Sequence, residues 1–180
     1  GSLLISLIGM YVAFVFGIHS FRVTRPPDYS GGFEQTFGLN WEKRIYPEQK
    51  KQFLSRTLFR LPSVPIPRME QDIPFASIPG ISRQLLCDVW QPPSTISPSG
   101  LAFIYLHGGA WYLLDKDYRT RPFFSHLAAQ GHVIMDVAYR MAPETDMMGM
   151  VNDVKRAIVW MKENAGSYGV DPHRIAVGGG

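Results

Sequence analysis

The chain has 180 residues, room for one domain and a tail at roughly 150 residues per domain. With 46% hydrophobic and 18% charged residues it is neither a disordered nor a collagen-like chain. A net charge of +3 without a clustered Lys/Arg face argues against nucleic acid, and the single cysteine, Cys87, excludes an internal disulfide or a cysteine-based zinc site. No histidine pair stands at a metal-ligand spacing, so no metal and no organic cofactor is implied.

All 18 Lys/Arg and all 15 Asp/Glu lie from Arg22 onward. The run LLISLIGMYVAFVFGI (3–18) is uncharged, and the uncharged stretch continues through Phe21. About 20 apolar residues rising 1.5 Å each cross a hydrocarbon core of roughly 30 Å, so residues 1–21 are expected to form a transmembrane helix. A secretory signal peptide would bring a basic start and a small-residue cleavage site, and neither is present. Counted as one cluster, Arg22, Arg25, Lys43, Arg44, Lys50 and Lys51 place the rest of the chain on the cytoplasmic side. The expected localisation is the membrane, with the lipid bilayer as partner of residues 3–21.

Phe33, Phe37, Trp41 and Ile45 recur at spacings of four, and beyond Pro47 the residues Phe53, Leu54, Thr57, Leu58 and Leu61 repeat as an amphipathic face would. One or two helices are expected here, serving as packing surface or as a lid. Eight of the fourteen prolines fall in positions 62–98, which precludes continuous helix. That stretch reads as an extended connection with a short strand at 84–91 (QLLCDVWQ). The expected organisation is a membrane helix over 1–21, a helical and Pro-rich connecting or lid segment over 22–79, and a half-domain over 80–180.

In the half-domain, LAFIYL (101–106) reads as a strand buried on both faces that ends in a tight His-Gly-Gly loop. A helical pattern over 118–130 closes at Gly131, VIMDVAY (133–139) is a second strand, and Val154, Ala157, Ile158 and Met161 share one face of a helix over 151–164. Asp171-Pro172 reads as a turn, and RIAVGGG (174–180) as a third strand. Strand–helix alternation predicts an α/β fold with a mainly parallel sheet covered on both faces. Ligands in such sheets bind outside the carboxyl ends of the strands. Two glycine-rich loops stand there, 107–111 and 178–180, and neither has the spacing of a dinucleotide or Walker motif. Backbone N–H groups gathered by such a loop suit an oxyanion hole.

The order HGGAW (107–111), DVAYRMAPE (136–144) and YGVDPHRIAVGGG (168–180) resembles the α/β-hydrolase fold, in the esterase/lipase branch related to hormone-sensitive lipase and the small carboxylesterases. The resemblance covers about residues 84–180 and makes the half-domain the N-terminal part of such a fold. It implies hydrolysis of a small acyl-ester substrate through a serine acyl-enzyme. Gly108, Gly109 and Ala110 would supply the oxyanion loop and His107 would orient it. Asp136, Arg140 and Glu144 would fix loops rather than react. The resemblance also implies a serine elbow with Gly179 as its first glycine, the serine standing next after Gly180, and an acid and a histidine further on. The expected enzyme is therefore a membrane-anchored ester hydrolase whose given chain is incomplete and inactive alone. Ser167 follows a helix and precedes a strand, the reverse of an elbow, and His126 and His173 hold no plausible base position. Two other readings stay open. One is a non-catalytic, membrane-tethered interaction module; the other is an amide hydrolase of the kynurenine formamidase type, whose pattern HGGAW also resembles. Oligomeric state cannot be read.

Overall fold

This computed structural model describes residues 2–24, 30–45, 47, 63–80 and 82–180, and the chain divides into two units, Gly1–Lys51 and Gln52–Gly180. The first unit holds helix α1 (Ser2–Thr24), helix α2 (Ser30–Phe37) and a 3-10 turn at Trp41–Arg44. Asn40 enters that turn in the left-handed region at φ 65°, a conformation asparagine tolerates better than most residues. Among the described residues no helix is long and apolar enough to cross a membrane, so the transmembrane helix expected from the sequence is not borne out. What stands there is a helix apolar on every side. Beyond Pro47 the second expected helix lies outside the described residues.

The second unit is a five-stranded sheet in the order β1-β2-β4-β3-β5, formed by β1 (Arg68–Ser77), β2 (Gln84–Gln91), β3 (Gly100–Leu106), β4 (Val133–Val137) and β5 (Val170–Gly179). The β1–β2 and β2–β4 pairings are antiparallel, while β4–β3 and β3–β5 are parallel. The sheet is therefore mixed rather than mainly parallel. The antiparallel part comes from β2, which runs against both β4 and β1, the latter a strand inside the segment that reads as extended connection. Pro74 of β1 cannot donate to a ladder on both sides, and an outermost strand is where a sheet admits proline. The short link from Ser77 to Gln84 then returns the chain as a hairpin.

Helix α3 (Arg121–Ala129) packs on one face of the sheet and α4 (Met147–Glu163) on the other. Alternation along the strands sorts the core between them. Trp90, Phe103, Tyr105, Phe124 and Ile134 meet on the α3 face, and Val89, Ile104, Met135, Val137, Ala157 and Met161 on the α4 face. Helix α4 begins four residues before the apolar pattern predicts, because the Asp146 carboxylate accepts from the Gly149 amide at 2.7 Å and caps it. A short helical turn, α5 (Ala165–Tyr168), closes at Gly169 in the left-handed region. Asp171-Pro172 does not separate turn from strand. It sits within β5, where the register jumps from Gly100↔Val170 to Ala102↔Ile175 and the extra residues bulge out.

Candidate active site

The carboxyl ends of β3 and β5 lie side by side, paired through Tyr105↔Gly178 and Leu106↔Gly179, so the two glycine-rich loops emerge together. They are in contact. A Cβ built on Gly108 would stand 2.7 Å from the Gly180 carbonyl oxygen, and one on Gly179 would strike the Leu106 carbonyl. Only glycine allows this approach.

The loop leaving β3 has an unusual backbone. Gly109 has φ 124°, and Ala110 and Trp111 come next at 52° and 64°, two consecutive side-chain-bearing residues in the left-handed region. Each such residue costs about 1–2 kcal/mol. Surrounding bonds hold the shape: the Gly109 carbonyl accepts from the amides of Tyr112 (3.1 Å) and Leu113 (3.0 Å), and the Trp111 carbonyl accepts from Ala142 (2.9 Å). A Cβ on Gly109 would collide with the Leu113 carbonyl oxygen. Among the described residues the amides of Gly108, Gly109 and Ala110 donate to no acceptor. A cavity of about 280 Å³ adjoins the loop, lined by Leu106, His107, Trp111, Tyr139, Met150 and Gly180. Strained backbone with free donors beside a cavity is the pattern of a site preorganised for an anion or an oxyanion.

His107 is buried, and its Nδ1–H donates to the Gly108 carbonyl at 2.8 Å. Its ring stacks on Tyr139 with centroids 4.7 Å apart, and the Tyr139 hydroxyl donates to the His107 carbonyl at 2.7 Å. With Nδ1 committed to that bond, Nε2 is buried and has no partner among the described residues. The histidine is thus fixed to the loop backbone at one nitrogen and to β4's extension through its ring. Burial raises the Tyr139 hydroxyl above its ordinary value, so it serves as a neutral donor.

A second set of contacts holds the far end of the loop. Lys116 places Nζ 2.8 Å from both Asp72 and Asp88, and the Asp117 amide donates to Asp136 at 2.6 Å. Burial on its own would lower the Lys116 ammonium, but its hydrogen bonds to the two carboxylates outweigh that and raise it. Burial, with the neighbouring Asp88 charge, pushes the Asp136 carboxyl up to about 7. Arg140 is buried against α4, with Nε and Nη2 each 2.8 Å from Asp153, while Glu144 pairs with Arg83 at the surface. His126 lies half-buried on α3, His173 is exposed on β5, and Ser167 sits in the helical turn α5, all away from the loop cavity. Sequence reading passed over Lys116, Tyr139 and Asp88. Asp88 had a signal, being the lone acid inside the apolar run LLCDVW.

The BD-FAE family model matches residues 87–180. The chain belongs to the BD-FAE family. The chain is similar to Esterase LipQ of Mycobacterium tuberculosis, 33% identical over 140 residues, 74% of this chain and 32% of that protein. Carboxylesterase NlhH of the same organism is 37% identical over 76 residues, 42% of this chain and 24% of that one. Among solved structures, the hyperthermophilic esterase from Pyrobaculum calidifontis superposes with a TM-score of 0.52 at 32% identity, covering 64% of this chain and 35% of the other. The sheet and helices are those of an α/β-hydrolase-like fold. The chain spans less than a third of the length of these curated relatives.

Proposed function

We propose that the full-length protein hydrolyses small carboxylic esters through a serine acyl-enzyme. The observation that carries this reading is the Gly108–Gly109–Ala110 backbone: three amides without acceptors among the described residues, on a strained turn, against the carbonyl of Gly180. The relatives named as esterases support the same chemistry. The reading requires a serine next after Gly180. Its Oγ would attack the acyl carbon while a base takes the hydroxyl proton, and the electron pair of the carbonyl would move onto oxygen. Amides of the 108–110 turn would accept that charge, each worth about 100 to 1,000-fold in rate. Collapse would then expel the alcohol and leave the acyl-serine for water. His107 holds no part in the proton transfer, since its Nδ1–H is committed to the Gly108 carbonyl and its ring is stacked on Tyr139.

We also propose that α1 tethers the protein to a bilayer, with the second unit on the cytoplasmic side. Supporting this are its uncharged length, the apolar side chains around its whole circumference, and the basic residues from Arg22 onward. Proximity to lipid gives no preference between lipid-like and soluble esters.

Purified full-length protein offered a short-chain nitrophenyl ester tests the catalytic reading. Turnover, together with stoichiometric labelling of the serine after Gly180 by an alkyl fluorophosphonate, is expected. An absence of both turnover and labelling in folded protein would refute it. Flotation of the full-length protein with phosphatidylcholine vesicles, lost on deleting residues 2–20, tests the tether.

A further inference from the structure

From Ala110 to Arg119 the loop leaving β3 holds five side-chain-bearing residues in the left-handed region: Ala110 (φ 52°), Trp111 (64°), Leu114 (74°), Asp117 (66°) and Arg119 (57°). Such residues relax unless their surroundings over-determine them. The first part of the loop has its own bonds, from the Tyr112 and Leu113 amides to the Gly109 carbonyl and from the Ala142 amide to the Trp111 carbonyl. From Leu114 to Asp117 the polar contacts with the sheet among the described residues are the Asp117 amide on Asp136 and the Lys116 ammonium on Asp72 and Asp88. The ammonium makes two bonds charged at both ends, the amide a single bond from a neutral donor, so the ammonium is the stronger anchor.

The sheet is shaped to receive it. Gln71 and Asp72 occupy the place where one residue of β1 would face Asp88, because the register passes from Glu70↔Val89 to Ile73↔Cys87. That is a bulge, and bulges re-aim side chains. Within it Asp72 is itself left-handed at φ 55°. Its amide donates to Asp88 Oδ1 at 2.9 Å, and its carboxylate stands 2.8 Å from Lys116 Nζ, which is also 2.8 Å from that same Asp88 oxygen. The three residues close a ring. The Asp88 side chain is fully buried and that of Lys116 is 13% exposed, so their bond is made away from water, where it is strong.

The hold reaches the glycine turn by contact. The Leu113 carbonyl and the Leu114 side chain lie against Gly109, so close that a Cβ there would meet both. Movement of 113–116 therefore cannot leave Gly109 and its neighbours in place.

We propose that Lys116 is a positioning residue for the site: its clamp on the β1 bulge holds the strained loop in the shape that presents the 108–110 amides. The catalytic consequence rests on the ester-hydrolase reading; the hold on the loop does not. A lysine that only neutralised Asp88 would act on stability alone.

Three variants of the full-length protein separate these roles: Lys116→Met, Lys116→Met combined with Asp88→Asn, and Asp72→Asn. Each is measured for thermal midpoint, for kcat and KM on a nitrophenyl ester, and for hydrogen exchange of the Tyr112 and Leu113 amides. Lys116→Met alone strands a buried carboxylate and should lose stability together with turnover. In the double variant no charge is stranded and the Asn oxygen still accepts from the Asp72 amide, so the midpoint should recover most of that loss. Turnover should not recover. We expect kcat to stay about 10 to 100-fold below wild type with KM little changed, and protection of the two amides to stay about tenfold low. Asp72→Asn leaves the buried pair intact and should lower kcat and protection by a smaller factor. Recovery of kcat and protection along with the midpoint in the double variant overturns the proposal; should that variant not fold, wild-type kcat and protection in Asp72→Asn overturn it. If the wild type turns over no ester, the ester reading fails, and exchange alone decides the role of Lys116.

Discussion

Cys87 shows how position alone sets a side chain's chemistry. It is fully buried on β2 beside Asp88, and burial together with that charge pushes its thiol up to about 12. The thiolate is the reactive form. In folded protein Cys87 should therefore resist dithiobis-nitrobenzoate at pH 8 and react fully once denaturant is added; rapid modification of the native protein would contradict its placement. Asp136 makes a second prediction of the same kind. Its folded value of about 7 lies above the ordinary 3.8, so the folded state holds more protons between those limits. Its contribution to stability is complete below about pH 4 and is lost as pH rises through 7. The urea midpoint of wild type should fall between pH 5 and pH 8, and most of that fall should vanish in Asp136→Asn. An identical pH slope in the two proteins would show that Asp136 ionises normally. Gly109 is constrained differently: at φ 124°, with the Leu113 carbonyl in the path of any Cβ, even alanine must distort the turn.

Among the elements, the join between β4 and α4 carries the greatest local dependence. Arg140 and Asp153 are both buried and bonded through two nitrogens and the Arg140 amide, with Arg156 closing the other side of Asp153. Truncating one partner leaves the other charged and buried, so Asp153→Ala should cost about 3–5 kcal/mol in a denaturation measurement. A loss below about 1 kcal/mol would mean that Arg140 reaches water once freed. The strands β2, β3 and β4 and the helices α3 and α4 were legible because each buries a face or both faces, and burial writes a periodic pattern into sequence. Strand β1 was not legible, since an outermost strand with one half-buried face alternates weakly and Pro74 masks it further. The start of α4 was recoverable from Asp146, whose capping role precedes the apolar pattern. At the site, the sequence marked two glycine-rich loops at strand ends, and that they meet, Gly108 against Gly180, is visible only in the fold. The left-handed turn through Ala110 and Trp111 was hidden, because neither residue signals positive φ. The Lys116–Asp72–Asp88 contacts join three separate segments, and no local spacing encodes them.

At the scale of the whole molecule, the sheet places function at one end. Parallel β3 and β5 deliver both glycine loops to a common edge of the core. The antiparallel β1–β2 pair anchors the loop's far end through Asp72 and Asp88. The 180-residue chain exposes β5 as an outer strand, with Val177 open to solvent, and such edges invite pairing with other chains. Residues 63–180 produced alone should self-associate in light scattering; a stable monomer would show that the edge is protected. The central claim, that the 108–110 amides receive developing negative charge, is tested most directly by removing single N–H donors without altering side chains. Replacing the Gly109 residue by glycolic acid, or Ala110 by lactic acid, in full-length protein turns one amide into an ester. Measured on a nitrophenyl ester, kcat should fall by about 100 to 1,000-fold at one of these positions with KM little changed. Undiminished kcat at both would contradict the account.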